Sequence, residues 1–213
     1  YLSHKKLIFL SDKGWIYEKP DASSPRVASA VVGALLLDKG SKGKYAHVEL
    51  PDGRKGYVLK SDVTDFDQWR KETRPTAENV LKNAYRFMGT PYLWAGTSAD
   101  MLDCSGFAKT VYMINGVVLA RDASQQYLTG VDISQGYDKL QPGDLVFFGN
   151  RNADGTPKRV WHVGIYVGDG RFIHEAGDVH VNSFNPEHPE YSQSYVDILV
   201  HASRIIGNED KGL

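Results

Sequence analysis

The sequence predicts an α+β fold: a small β-barrel, then helices packed on an antiparallel sheet. Three observations carry that expectation. The first 65 residues break into short strand-like runs separated by clusters of Gly, Pro, Asp, Ser and Lys. Apolar residues then recur twice at helical spacing between positions 76 and 114. Beyond position 144 the pattern shifts to apolar runs of strand length, so helices precede strands rather than alternate with them.

In order along the chain, residues 7–10, 15–17, 27–32, 35–37, 45–50 and 56–59 read as the barrel strands. Between the last two, Asp52-Gly53 reads as a tight turn with positive backbone angles. Residues 66–75 are charged and polar apart from Phe66 and Trp69 and end in Pro75, which marks a linker and divides the chain into 1–65, 66–75 and 76–213. Thr76 is placed to cap a helix whose apolar face is Val80, Leu81, Ala84, Phe87 and Met88, with Gly89 ending it. Residues 89–103, with Pro91 and several aromatics, read as loop. A second helix spans residues 104–114, apolar at Phe107, Ala108, Val111 and Ile114 and stopped by Asn115-Gly116. Residues 145–148 follow a Gln141-Pro142-Gly143-Asp144 turn and read as a strand buried on both faces. Residues 162–167, 171–174 and 196–201 complete the expected sheet.

Composition bounds the function. The chain has 213 residues, 41% hydrophobic and 24% charged, which fits one or two globular domains and excludes disorder, collagen and long coiled coil. The longest apolar stretch, residues 27–37, is broken by Ser29 and Gly33 and falls well short of the ~20 residues of a membrane-spanning helix. Neither a transmembrane helix nor a secretory-signal pattern is read. Formal net charge is −1, with 14 Lys+Arg against 10 Asp+Glu in residues 1–74 and 11 against 16 in residues 75–213. That split is too small to argue for nucleic acid. A single cysteine, Cys104, excludes an internal disulfide and a cysteine-based zinc cluster. It is either a buried apolar thiol or a nucleophile.

The position of Cys104 favours the nucleophile. It stands where loop becomes helix, so unpaired backbone N–H groups and a nearby imidazolium would lower its pKa and favour the reactive thiolate. Asp103 and Ser105 on either side are poor company for an apolar thiol. Of seven histidines, His4 and His47 fall in the barrel, His188 in the 185–189 loop and His201 near the end, all suited to surface or core-edge roles. His162 and His174 flank one hairpin. With Gly168-Asp169-Gly170 as a three-residue loop, Val167 opposes Arg171, Tyr166 opposes Phe172, Ile165 opposes Ile173 and Gly164 opposes His174. His162 then shares a face with His174 one diagonal step away, roughly 7–8 Å between backbones. A two-residue loop would flip one of the two to the other face. In this reading His162 takes the thiol proton and later protonates the leaving amine, while His174 holds the other ring nitrogen and fixes the tautomer. Two ordinary strand histidines are the alternative.

Five ordered motifs carry a resemblance. They are Pro91-Tyr92-Leu93-Trp94-Ala95-Gly96-Thr97, Leu102-Asp103-Cys104-Ser105-Gly106-Phe107, Arg121-Asp122-Ala123-Ser124-Gln125-Gln126, the 140–148 stretch, and His162–Gly168 with Phe172-Ile173-His174. Across roughly residues 76–205 they resemble the papain-like NlpC/P60 cysteine peptidases, and the first 65 residues look like a bacterial SH3-type domain. Together they are similar to cell-wall peptide hydrolases of the dipeptidyl-peptidase VI type, which cut the γ-D-glutamyl to diamino-acid bond of peptides with a free N-terminal L-Ala. The resemblance implies Cys104 as nucleophile, His162 as base and His174 as orienting member. It implies Tyr92 beside the tetrahedral oxyanion, Asp103 on the substrate amine and Ser105 on the α-carboxylate of γ-D-Glu. Ser124 would be a second contact to that carboxylate, with Ala123 in the alternative register. Trp94 lies in the same motif as Tyr92 and is taken as a substrate contact, with packing as the alternative.

No cofactor and no metal are expected. A metal site from His174, Glu175, Asp178 and His180 would lack the His-Glu-x-x-His helix, which Gly177 opposes. The expected partner is a peptidoglycan-derived peptide, L-Ala-γ-D-Glu-diamino acid, acted on by a monomer with no nucleic acid and no membrane span. Such a substrate points to the cell envelope, or to cytosolic recycling of wall fragments. Cleavage of intact peptidoglycan stems, a catalytically silent wall-binding protein, and an acyltransferase or amidase using the same thioester are the competing readings.

Overall fold

A computed structural model describes residues 4–134 and 137–209. They form two compact units, one ending at Thr73 and one starting at Arg74.

In the first unit, β1 (Lys6–Phe9), β2 (Lys13–Tyr17), β3 (Arg26–Val31), β4 (Leu35–Lys42), β5 (Tyr45–Glu49), β6 (Lys55–Leu59) and β7 (Val63–Asp65) make one sheet in the order β3-β2-β6-β5-β4-β1-β7. All its pairings are antiparallel. Strand alternation builds the core: Ala46 and Val48 of β5 point inward with Phe9, Ile16, Leu36 and Val58, while His47 and Glu49 point away. Six strands fall on the predicted runs, and β7 has no counterpart among them. The expected barrel needs correcting, because among the described residues no ladder joins β3 to β7 and the sheet stays open. At the β5–β6 turn Gly53 alone takes a positive φ, +85°. Asp52 instead accepts the Arg54 N–H at 3.1 Å, a local bond that holds the turn without a positive φ at Asp52 itself.

The stretch expected as linker begins with α1 (Phe66–Glu72), capped by Asp65, which accepts the Gln68 N–H at 2.9 Å. Phe66 and Trp69, the two apolar residues there, stack on each other with ring centroids 6.0 Å apart. The Asp65 cap, this apolar pair and packing on β1 and β7 hold two helical turns that composition alone hid.

The second unit holds, in chain order, α2 (Ala77–Arg86), β8 (Thr97–Ser98), β9 (Met101–Leu102), α3 (Cys104–Ile114), α4 (Ala123–Gln126), β10 (Val131–Asp132), β11 (Leu145–Arg151), β12 (Pro157–Gly168), β13 (Arg171–Glu175), β14 (Val179–Ser183), α5 (Gln193–Ile198) and β15 (Leu199–Arg204). Six of the strands form an antiparallel sheet in the order β10-β15-β11-β12-β13-β14. Helix α3 packs on β12 and β13, covering Val163, Ile165 and Ile173, which are fully buried. Across the sheet Phe148, Phe172, Phe184 and Tyr195 make a second layer. The run expected as a strand from residue 196 is α5 up to Ile198, and β15 starts three residues late. Its Val-Asp-Ile-Leu pattern suits either period, and the Gln193 side chain bonding Asp197 one turn on, at 2.7 Å, goes with the helix.

The β12–β13 hairpin combines both loop options. Asp169 and Gly170 have positive φ, 56° and 71°, as a two-residue turn requires. A bulge before Gly168 then adds one residue to β12, so Gly168 rather than Val167 faces Arg171. The bulge restores the register: Tyr166 faces Phe172, Ile165 faces Ile173 and Gly164 faces His174.

Candidate active site

Cys104 is the first residue of α3, and Asp103 caps that helix by accepting the Gly106 N–H at 2.7 Å. Glycine at position 106 is a steric demand, since a Cβ there would sit 2.0 Å from the carbonyl oxygen of Gly96. The neighbouring Ala95 takes φ +64°, which turns its N–H onto Asp103 Oδ2 at 3.0 Å. Arg121 then forks across the carboxylate, with Nη2 at 2.6 Å from Oδ2 and Nη1 at 3.1 Å from Oδ1, and Nη1 also donates to Ser105 Oγ at 3.0 Å. Asp103 therefore takes two backbone N–H groups, one hydroxyl and a guanidinium. The amine expected at this carboxylate finds its lone pairs occupied. Arg121 stands in the Arg121–Gln126 motif, but spacing alone does not show which charges meet.

His162 and His174 do meet. His162 Nε2 lies 2.7 Å from His174 Nδ1, and His174 Nε2 lies 2.9 Å from Asn182 Oδ1. One anchor sets the protons along this line. Asn182 Nδ2 donates to the Glu190 carbonyl at 3.1 Å, so its oxygen must face His174. His174 then carries its proton on Nε2 and accepts at Nδ1 from His162 Nε2–H, which leaves Nδ1 of His162 as a free base. Asn182 is absent from the predicted set. Its signal was available only with β14 in register: Phe172 faces Asn182 and His174 faces His180, so Asn182 is diagonal to His174 as His162 is on the other side.

A cleft of about 910 Å³ gathers most of the remaining candidates. Tyr92, Trp94, Asp103, Cys104, Ser105, Ser124 and His162 all line it, as do Arg121, Asp122, Ala123, Lys158, Arg159 and Glu175. His174 lies behind His162, fully buried. Trp94 is 82% exposed and Tyr92 is half-exposed at the rim, so neither is a core residue. Both Ala123 and Ser124 reach the cleft, so the two registers are equally placed. Among the described residues no three His, Cys, Asp or Glu side chains converge as a cation cage. His174 bonds His162 and Asn182, and His180 bonds Asp178.

The NlpC/P60 family model matches residues 89–200, more than half the chain. The chain belongs to the NlpC/P60 family. The γ-D-glutamyl-L-lysine dipeptidyl-peptidase of Bacillus cereus is 39% identical over 127 residues, 60% of this NlpC/P60 chain and 37% of that protein. Dipeptidyl-peptidase 6 of Lysinibacillus sphaericus is 30% identical over 187 residues, 84% of this chain and 64% of that one. A crystal structure of an NlpC/P60 family protein from Bacillus cereus superposes with a TM-score of 0.80 at 28% identity, covering 95% of this chain and 64% of the other. The chain thus spans between about a third and two thirds of the length of these relatives.

Electrostatics in this NlpC/P60 site run against the expected thiolate. Burial pushes the Cys104 thiol up to about 11, and Asp103 adds to the rise, outweighing the N–H groups of Val163 and Ser105 that favour the anion. The thiol donates instead to the Trp161 carbonyl at 3.8 Å. Burial likewise holds His162 and His174 below the ordinary histidine range, so both are neutral near pH 7. Both shifts favour a neutral thiol and neutral imidazoles over a thiolate with an imidazolium. Iodoacetamide labelling of Cys104 should therefore climb about tenfold per pH unit from 7 to 10, following the thiolate fraction, with no plateau below pH 9. A plateau between pH 6 and 8, read by mass spectrometry, would show a preformed ion pair.

Proposed function

We propose that this chain is a cysteine peptidase that hydrolyses the γ-D-glutamyl to diamino-acid bond of bacterial cell-wall peptides through a thioester on Cys104. The observation that carries it is the line from Asn182 through His174 to His162, ending in a free ring nitrogen within the cleft that holds Cys104. Cys104 Sγ attacks the γ-carbonyl carbon as its proton passes to His162 Nδ1, so the anion forms only during attack. Tyr92 and the backbone N–H of Cys104 stabilise the tetrahedral oxyanion. The C–N bond then breaks, and His162 returns the proton to the leaving α-amine of the diamino residue. Water, deprotonated by His162, attacks the thioester, freeing the thiol and a γ-carboxylate.

The wall made of Arg121, Ser105 and Ser124 suits the α-carboxylate of γ-D-Glu, since the Arg121 N–H groups not engaged by Asp103 and Ser105, together with the Ser124 hydroxyl, can donate to it. A free N-terminal amine is better served by Asp122, exposed on the same wall, than by the occupied Asp103. Trp94 offers an exposed ring for packing against the peptide. Residues 1–65, followed by a 66–75 connection to a catalytic 76–213, are read as an SH3-type domain. Support comes from relatives named as γ-D-glutamyl-L-lysine dipeptidyl-peptidase and dipeptidyl-peptidase 6.

The test compares L-Ala-γ-D-Glu-L-Lys with the same peptide N-acetylated, products being identified by mass spectrometry. The free peptide should yield L-Ala-γ-D-Glu and lysine, with kcat/KM at least about tenfold above the blocked one, the worth of one charge-assisted contact. Equal rates would favour an endopeptidase on intact wall stems.

A further inference from the structure

Glu175 ends β13, and neither the core nor the histidine line uses its carboxylate. It is fully buried, and neither of its oxygens has a hydrogen-bond partner. Buried carboxylates are ordinarily paired, because desolvation penalises the charge heavily. Strand alternation turns Glu175 to the face opposite His174, toward α3, where it lies in electrostatic reach of Cys104, Asp103 and Tyr92. It lines the cleft beside Tyr92, whose N–H bonds the Gly177 carbonyl at 2.9 Å and so fixes that segment against the end of β13.

The cations of the cleft are elsewhere. Arg121 is committed to Asp103. Lys158 and Arg159 lie six and five residues along β12 from Gly164, the partner of His174, roughly 15–20 Å away at strand rise. The cleft thus offers a cation with hydroxyls at Arg121 and a carboxylate without a hydrogen bond at Glu175.

We propose that Glu175 receives the side-chain ammonium of the diamino residue on the leaving side of the scissile bond. The inference rests on the cleavage reading above. With the γ-D-Glu carboxylate on the Arg121 wall, the leaving residue is the part of the substrate left for Tyr92 and Glu175. A recessed carboxylate at the edge of the cleft favours a slender cationic group over a bulky one. A lysine-type chain, an ammonium on a flexible four-carbon stem, has that shape and brings three donors to two unpaired oxygens. Burial, then the charges of Asp103 and Asp178, push the Glu175 carboxyl up to about 7 in the free cleft. An arriving ammonium favours its ionised form, so binding below that pH expels a proton.

The experiment measures kcat/KM for L-Ala-γ-D-Glu-L-Lys and L-Ala-γ-D-Glu-L-norleucine, with wild-type protein and Glu175→Gln. The wild type should prefer lysine by about 10- to 100-fold, the worth of one buried charge-assisted pair, and Glu175→Gln should reduce that preference to about one. The ratio is the readout, so partial misfolding, which scales both substrates alike, does not imitate the effect. Cleavage of both peptides at equal rates by the wild type overturns the inference and leaves the cleavage reading standing. Cleavage of neither overturns both. A Glu175→Gln variant that keeps its lysine preference but loses discrimination against the N-acetylated peptide overturns it as well, since the carboxylate would then serve the N-terminal amine.

Discussion

Cys104→Ala lowers turnover of L-Ala-γ-D-Glu-L-Lys by at least about 10⁴-fold, because removing the nucleophile leaves only the residual catalysis of binding and oxyanion contacts. In the proposed reaction the Cys104 sulfur forms the covalent intermediate. His162, with Nδ1 free, can deprotonate a water directly but too weakly to replace it. Peptide binding should survive, since Arg121, Ser105, Ser124 and Glu175 are untouched and alanine fits the first position of α3. The pair of readouts decides the matter: turnover by mass spectrometry and affinity by calorimetry with the same peptide. Substantial turnover in the alanine variant would remove the thioester mechanism. Loss of binding without any change in fold would mean that the thiol is chiefly a binding group.

Much of this arrangement could be read from the chain. Helix α3 begins and ends at the expected residues because Asp103 caps it and Asn115-Gly116 cannot continue it. The pairing of His162 with His174 follows from a hairpin whose apolar alternation admits one register, and the bulge before Gly168 restores that register when the turn shortens. What escaped were features set by distant partners. Arg121 gains its role only when α4 and α3 bring it across Asp103 and Ser105. Asn182 depends on β14, whose Val-His-Val-Asn-Ser pattern is too polar to stand out as a strand. Glu175 looked like one acid among 26 until its burial without a partner was visible. The thiol is the sharpest case. Sequence places it at a helix start, which lowers a pKa, but burial and Asp103 act in the opposite direction and win.

Arg121→Met tests the joint that holds this wall together, and it should destabilise the folded protein by about 3 kcal/mol at pH 7. The guanidinium is 31% exposed and the carboxylate 10%, so breaking the pair strands a charge that water reaches poorly. Burial alone would raise the Asp103 pKa, but Arg121 together with the Gly106 N–H and Ser105 hydroxyl holds it below the usual carboxylate range. The sign of the pH dependence follows. A carboxylate with a depressed folded pKa contributes stability above its unfolded value, near 4, and loses it as pH falls through the folded one. The gap between wild type and Arg121→Met should therefore be widest at neutral pH and shrink toward pH 3. Adding Asp103→Asn to Arg121→Met removes the stranded charge and keeps an acceptor for the Gly106 N–H, at the cost of the Ala95 bond, and should restore part of the loss. Urea unfolding at several pH values measures all three variants. A single Arg121→Met variant as stable as the wild type at pH 7 would show that the N–H and hydroxyl donors satisfy Asp103 unaided. The guanidinium would then be free for the substrate carboxylate alone, and its removal would appear in KM rather than in stability.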